Sequence, residues 1–353
     1  MNRRNCKMVR VGIIGATGYA GQQLVWYLNM HKNAEIKFMV SNSYVGQEFS
    51  EIYRNFKKFL DDKLIGVEDV ESKLDEIDVL FMALPHGKSA PFVKLAMDKG
   101  IKAIDLGADF RLDSEETFKE WYKDDYKHPE FIKDAVYGLP ELKRREEIKN
   151  CKIIANPGCY PTASILALAP LLENDLIEKD SIVIDAKSGV SGAGRSAKIA
   201  SLYTECNESI KAYGVTTHRH TAEIEQELSK IGEENIALTF TPHLVPMNRG
   251  ILSVTYSKLK KDISEKEIYD LYNKFYENEY FVRVINDLPE TRFVRGTNLC
   301  DIAVRVDKRT NRVIAISAID NLIKGAAGQA IQNMNIMFGL EENDGLDILA
   351  MNP

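Results

Sequence analysis

Met8-Val9-Arg10-Val11-Gly12-Ile13-Ile14-Gly15-Ala16-Thr17-Gly18-Tyr19-Ala20-Gly21 decides the fold class. Met8 to Ile14 is apolar enough to be a buried strand, and it runs into a glycine turn and then a segment whose Leu24, Val25 and Leu28 have helical spacing. Strand, glycine turn and helix together open a dinucleotide-binding unit. The glycines let the backbone approach a pyrophosphate, and the helix N-terminus offers N–H donors and the positive end of its dipole. The spacing is GxxGxxG rather than the commoner GxGxxG, and glycines so placed would also serve tight strand–helix packing without a ligand. Gly15, Thr17, Gly18, Tyr19 and Gly21 are the candidate cofactor contacts of this turn.

Working outward, Glu35 to Val40 reads as the second strand, and its end discriminates between cofactors. An acid there would hold a ribose 2′-hydroxyl, whereas this chain has Ser41-Asn42-Ser43, which leaves room for a 2′-phosphate and favours NADP(H), with Ser41 as a contact. Val79 to Leu84 is a continuous apolar strand ending in Pro85-His86-Gly87, a turn expected under the cofactor through Pro85. Ser89 to Lys99 reads as a helix and Ile101 to Leu106 as a strand. Arg111, just past that strand, has two readings: a planar clamp for a phosphate or carboxylate, or a surface ion pair with Asp113 or Glu115. Ser114 to Asn150 reads as loops and solvated helices anchored by Trp121, Tyr122 and Tyr126.

The chemistry is expected in Asn156-Pro157-Gly158-Cys159-Tyr160-Pro161-Thr162. A short apolar strand precedes this stretch, and Ala163 to Leu172, apolar almost all round, follows it as a buried helix. Cys159 then stands at a helix N-terminus, where unpaired N–H groups and the dipole favour thiolate over thiol. The shift matters, because a thiol with a pKa of roughly 8.5 is only about 3% ionised at neutral pH. An imidazole could add to it and then act as general acid, the candidates being His218 and His220 in Thr217-His218-Arg219-His220-Thr221-Ala222-Glu223. Lys187-Ser188-Gly189-Val190-Ser191-Gly192-Ala193-Gly194-Arg195 is a loop able to bring backbone N–H groups to an anion. A thiol and an imidazole beside a dinucleotide fold point to hydride transfer at a carbonyl carbon held as a thioester. Asn156 is a candidate for orienting the acyl oxygen or thiolate.

Beyond this point strand-like segments succeed one another: Ile236 to Val245, Ile251 to Leu259, Tyr280 to Ile285, Leu299 to Val306 and Val313 to Ile319, the last two joined across 307–312 as a hairpin. That rhythm argues for a mainly antiparallel sheet. The expected fold is α/β: a Rossmann-type domain over 1–155, completed by a helix from about 321–353, and an α+β catalytic and dimerisation domain over 156–320. Within the final helix, Asn321 to Met337, the run Gly325-Ala326-Ala327-Gly328 would allow close packing.

At 353 residues, 44% hydrophobic and 28% charged, the chain is long enough for two cored domains, and disorder is excluded. A net charge of -6 without a basic run argues against nucleic acid and leaves a small molecule as the expected partner. Five cysteines, Cys6, Cys151, Cys159, Cys206 and Cys300, lack CxxC spacing, which suits a reducing compartment and no metal site. Met1 to Lys7 is polar and basic but precedes only a strand-length apolar run, so it does not read as a signal peptide. No stretch has the length and apolarity of a bilayer span, so a cytoplasmic protein without membrane partners is expected.

Ile154 to Ala163, through Pro170, resembles the active-site signature of N-acetyl-gamma-glutamyl-phosphate reductases, relatives of the aspartate-semialdehyde dehydrogenases. The likeness continues in Gly15 to Gly21, Ala108-Asp109-Phe110-Arg111, Ser188 to Arg195, His218 to Glu223, Thr241-Pro242-His243-Leu244 and Asn321 to Gly328, leaving only Met1 to Lys7 outside. The resemblance implies that Cys159 attacks the acyl phosphate of N-acetylglutamyl phosphate, that NADPH reduces the thioester to the semialdehyde in arginine biosynthesis, and that His220 is the acid/base. It also implies phosphate or substrate contacts from Arg111, His218 and Glu223, and a cofactor and acyl pocket lined by Ser188, Gly189, Gly192 and Asn321. An antiparallel sheet in the second domain with one face uncovered would be a natural dimer surface, so a homo-oligomer, dimer or tetramer, is expected. Asn42 stands where the family often has a basic residue. The alternatives of the same build are reductases of aspartyl phosphate or of carrier-bound aminoadipyl or glutamyl phosphates. From another class comes a non-catalytic NADP(H)-binding sensor.

Overall fold

The structure is a computed structural model that describes residues 8–351; the leader Met1 to Lys7, and Cys6 with it, lie outside the described residues. The chain divides into two compact units. The first comprises the chain up to Lys119, Asp124–Pro157 and Ala326–Asp347; the second comprises Glu120–Lys123, Gly158–Gly325 and the residues from Ile348 on.

In the first unit, β1 (Val9–Ile14), β2 (Ala34–Val40), β3 (Val79–Met82), β4 (Lys102–Asp105), β5 (Ala135–Tyr137) and β6 (Ile153–Ala155) form a six-stranded sheet in the order β2-β1-β3-β4-β6-β5. Every pairing is parallel. The sequence reason is the near-continuous burial of β1, β3 and β4, as expected of strands covered on both faces. The helices are α1 (Tyr19–Asn29), the short α2 (Phe49–Ile52) and α3 (Val70–Lys73), α4 (Ala90–Asp98), α5 (Glu115–Tyr122) and α6 (Arg145–Asn150). After β2 the chain crosses to the other side of β1 to make β3, so the order reverses beside β1. The glycine turn leaves the carboxyl end of β1 at that switch point. Ala135 to Tyr137 is a strand where loops were expected; three residues carry no periodicity, and only the pairing with β6 makes them one.

The second unit contains α7 (Cys159–Glu173), β7 (Val183–Gly189), the short α8 (Tyr203–Cys206), β8 (Lys211–Ala212), α9 (His220–Gly232), β9 (Thr239–Val245) and β10 (Ile251–Lys258). It continues with α10 (Glu265–Phe275), β11 (Val282–Val284), β12 (Cys300–Asp307) and β13 (Arg312–Ile319). Its seven strands run β11-β12-β13-β10-β7-β9-β8. The sheet is mixed: β7–β9 and β11–β12 are parallel, and the remaining pairs antiparallel. The strand expected from Ile236 begins only at Thr239, because Ile236 N donates to Ser229 Oγ at 2.9 Å and Leu238 N to Glu225 Oε1 at 2.9 Å, tying both to α9. Helix α7 packs on β10, β13 and α9. Two hydrogen bonds mark its face of the sheet, Ser164 Oγ to Ser253 Oγ at 3.0 Å and Ser317 Oγ to Ala163 O at 2.8 Å. By strand alternation Leu252, Val254, Tyr256, Ile314 and Ile316 lie on the opposite face, half-buried.

After β13 the chain makes a π-turn over Ile323–Ala327 before α11 (Gly328–Phe338), where one uninterrupted helix was expected. Helix α11 belongs to the first unit, packs against α1 and α6, and buries every residue from Gly328 to Met337. No helix among the described residues is long and apolar enough to cross a membrane.

Candidate active site

Cys159 is the first residue of α7, capped by the extended Gly158 (φ -70°, ψ 156°), and is half-buried. Tyr160 to Leu172 are all buried, so the helix is anchored along its length and its N-terminus is a rigid place for a thiol. Thr162 clamps the entry, its N and Oγ1 both donating to Gly158 O at 2.9 Å. Gly158 N donates to Glu223 Oε1 at 2.8 Å, and Glu223 has no exposed surface. That hydrogen bond makes the Glu223 carboxylate a brace for the turn in front of Cys159, a task its sequence context did not announce.

The two histidines lie side by side with ring centroids 4.8 Å apart, and they differ in kind. His218 Nδ1 accepts the backbone N–H of His220 at 3.2 Å, which places its proton on Nε2. Around it stand Tyr213 at 5.4 Å, Phe240 at 5.5 Å and Tyr160 at 5.7 Å, all edge-on. Burial in this aromatic box, with Arg219 adding to it, pushes His218 down to about 4, so it is neutral at physiological pH. His220 opens α9, with its ring 6.0 Å from that of Tyr160. A hydroxyl chain runs from Tyr213 to Tyr160 at 3.1 Å and on to His243 O at 3.2 Å. Burial raises Tyr213 to about 12 and Tyr160 higher still, and Cys159 is close enough to add to both. Tyr213, Tyr160 and Phe240 escaped the sequence reading; Tyr160 sits inside the quoted signature, but nothing local announces the other two.

In the first unit, the glycine turn shows which of its residues the chain itself requires. Gly15 has φ +80° and its added Cβ would lie 2.4 Å from Ala83 O, while one on Gly21 would lie 2.1 Å from Gly15 O. Both are demanded by strand–helix packing. Gly18 is not, since a Cβ there meets only Gly15 O, at 3.5 Å. A bare backbone at the N-cap of α1 that internal packing does not need fits a dinucleotide phosphate approaching from outside. Thr17 Oγ1 and Ser41 Oγ are hydrogen-bonded at 2.9 Å, joining the glycine turn to the end of β2, and Tyr53 Oη donates to Thr17 O at 2.9 Å. Asn42 and Ser43 are exposed, without a carboxylate. Tyr19 is half-buried in the first turn of α1, and Pro85 is exposed after β3. The turn that Pro85 opens is held by Asp109, whose carboxylate accepts Gly87 N at 2.5 Å, Ser89 N at 2.9 Å and Ala90 N at 3.1 Å. Burial, then the Asp109 charge, lifts neighbouring Asp105 to about 7.

Arg111 and Asn156 have work inside the first unit that their sequence context hides. Arg111 is buried and donates Nε to Asn156 O at 2.8 Å and a terminal nitrogen to Leu106 O at 2.9 Å. The guanidinium staples the ends of β4 and β6. Asn156 Nδ2 donates to Ala326 O at 3.1 Å and its Oδ1 accepts Asn333 Nδ2 at 3.2 Å. Its amide thus ties the end of β6 to α11 and the turn before it. In the second unit Ser188, Gly189, Gly192 and Asn321 come together. Gly192's added Cβ would lie 2.9 Å from Ser188 Oγ, and Gly189's 2.8 Å from Arg249 N. Asn321 Oδ1 accepts Gly250 N at 2.7 Å, and its Nδ2 donates to Ser191 Oγ at 3.0 Å.

Comparison with known proteins matches this division. Residues 10–151 match the family "semialdehyde dehydrogenase, NAD binding domain" and residues 159–321 the family "semialdehyde dehydrogenase, dimerisation domain". The N-acetyl-gamma-glutamyl-phosphate reductase of Clostridium novyi is 55% identical over 98% of this chain and 99% of its own length. The chain belongs to the N-acetyl-gamma-glutamyl-phosphate reductase family. Family members so named from Thermoanaerobacter sp. (53% identical) and Lachnoclostridium phytofermentans (51%) each match over 98% of this chain and 100% of their own. The reductase family's fold recurs in aspartate semialdehyde dehydrogenase II of Vibrio cholerae, solved in complex with ASA. There the TM-score is 0.72 at 19% identity, over 94% of this chain and 98% of that one. An aspartate semialdehyde dehydrogenase of Candida albicans, solved with NADP, has a TM-score of 0.66 at 18% identity, over 94% and 98%.

Proposed function

We propose that this chain reduces N-acetyl-L-glutamyl 5-phosphate to N-acetyl-L-glutamate 5-semialdehyde with release of phosphate, in arginine biosynthesis, through a thioester on Cys159. The observation that carries the reading is Cys159 at the N-terminus of a fully anchored helix, in the unit that also holds the His218–His220 pair. The names of relatives 51–55% identical over nearly the full chain support the substrate.

The sulfur attacks the acyl carbon and the C–O bond to phosphate breaks. His220 accepts the thiol proton and delivers it to the departing phosphate, a role that the neutral, boxed-in His218 is unsuited to. His218 instead offers Nε2–H to the substrate. The bound NADPH supplies the hydride. The tetrahedral adduct on Cys159 then collapses, releasing the aldehyde and returning the thiolate, which the α7 N-terminus stabilises. Gly15, Thr17, Gly18, Tyr19, Gly21, Ser41 and Pro85 hold the dinucleotide, with Ser188, Gly189, Gly192 and Asn321 shaping the reactive end. Arg111, Asn156 and Glu223 act by positioning. The absence of an acid in Ser41-Asn42-Ser43 supports NADP(H). We read the half-buried apolar face of the mixed sheet as a homo-oligomer interface, and the cytoplasm as the compartment, in keeping with Cys151, Cys159, Cys206 and Cys300 standing outside any disulfide.

The test is phosphate-dependent reduction of NADP by N-acetylglutamate semialdehyde, run in this direction because the acyl phosphate is labile. Cys159→Ala is expected to abolish it. Full activity in that variant, or preference for aspartate semialdehyde in the wild type, would overturn the proposal.

A further inference from the structure

Gly325 stands against the nucleophile. A Cβ built on it would lie 2.7 Å from Cys159 Cβ and 3.1 Å from Cys159 Cα, with Ile319 Cδ1 at 3.3 Å. The first two atoms are tied to the backbone of α7 and cannot rotate away, so any side chain at 325 displaces either the start of that helix or the turn that carries Gly325. That turn is the π-turn Ile323–Ala327, in which Gly325 N donates to Asp320 O at 3.0 Å, five residues back. Single π-turns are uncommon and concentrate at functional sites.

The turn has its own anchor. Asp320 is fully buried, with Oδ2 accepting Gly296 N at 2.7 Å and pairing with Arg249 Nε at 3.1 Å, and Oδ1 accepting Leu322 N at 2.8 Å. A buried carboxylate held by a guanidinium and two backbone donors is a stiff fixture. It sets the height at which the following backbone, bare at Gly325, meets Cys159.

We propose that Gly325, presented by the Asp320-anchored π-turn, is a positioning residue that fixes where the Cys159 sulfur stands at the α7 N-terminus. The inference rests on Cys159 being the nucleophile. Its force is geometric: the helix-end field falls off within one turn, and a misplacement of about 1 Å at a reacting atom costs on the order of 10²-fold in rate.

The experiment compares wild type, Gly325→Ala and Gly325→Ala/Ile319→Val in three measurements: turnover of the semialdehyde, the pH midpoint of Cys159 alkylation by iodoacetamide, and NADPH affinity by fluorescence. Gly325→Ala is expected to lower kcat by about 10- to 100-fold and raise the alkylation midpoint while NADPH affinity is unchanged. The double variant, which relieves the Ile319 contact alone, is expected to stay impaired. An unaltered kcat and midpoint in Gly325→Ala, or recovery in the double variant, overturns the proposal. A Gly325→Ala protein that does not fold passes the question to Asp320→Asn, where the same loss supports the proposal and an unshifted alkylation midpoint overturns it. Cys159→Ala is measured alongside; activity there would refute the thioester itself, whatever Gly325 does.

Discussion

Two histidines two residues apart invite the same role, and their surroundings separate them. His218 has a folded value near 4 against its ordinary 6.5, so the unfolded chain takes up a proton that the folded one refuses. The stability this represents is present above pH 6.5 and is lost as the pH falls through 4. A group that stays neutral across this range cannot produce an acid limb in the rate profile near neutrality. His220→Asn is therefore expected to lower turnover by about 10²–10⁴-fold, whereas His218→Asn keeps the acid limb of the kcat/KM profile. The reverse pattern, or an NMR titration of His218 near its ordinary value, would refute the assignment. Sequence made the nucleophile and the histidine pair legible because each sits at a helix start bounded by turn residues. It did not announce the bracing contacts of Arg111, Asn156 and Glu223. Only the fold shows them hydrogen-bonded to backbone groups of Leu106, Asn156, Ala326 and Gly158.

Among the elements, those with a clear period were legible: β1, its turn and α1 by glycine spacing, and the β12–β13 hairpin by its polar link. The three-residue β5 and the π-turn were not, because one depends on a neighbouring strand and the other on a buried carboxylate outside it. Helix α11 carries a further lesson, since Gln329, Gln332, Asn333 and Asn335 are buried on it. Such amides look like a solvated face in sequence; here Asn333 donates to Gly138 O at 2.9 Å and Gln332 to Glu141 Oε1 at 3.0 Å. The helix is nonetheless held by apolar burial as well. Ile331, fully buried, should cost about 2–5 kcal/mol when cut to Ala, read as a fall in the denaturation midpoint; a change below about 1 kcal/mol would mean the helix is dispensable to the first unit.

For the molecule as a whole, the contrast between an all-parallel sheet and a mixed one was readable from the change of rhythm along the chain. The mixed sheet leaves Leu252, Val254, Tyr256, Ile314 and Ile316 half-exposed on one face, Val254 paired with Ile316 and Tyr256 with Ile314. Val254→Asp is expected to convert an oligomer into monomers in sedimentation velocity, and a wild-type chain that sediments only as a monomer would refute the interface. Helix α11 also has a bearing on how the protein is made. The first unit gathers its chain from both sides of Gly158–Gly325, and Gly328–Phe338 leaves the ribosome only after that stretch. The second unit, apart from the short piece from Ile348 on, is complete once Gly325 has emerged. Although most of its residues come first, the nucleotide-binding half must wait, partly formed, for Gly328–Phe338 to follow the second unit, and it is the half more exposed to chaperones and proteases during synthesis.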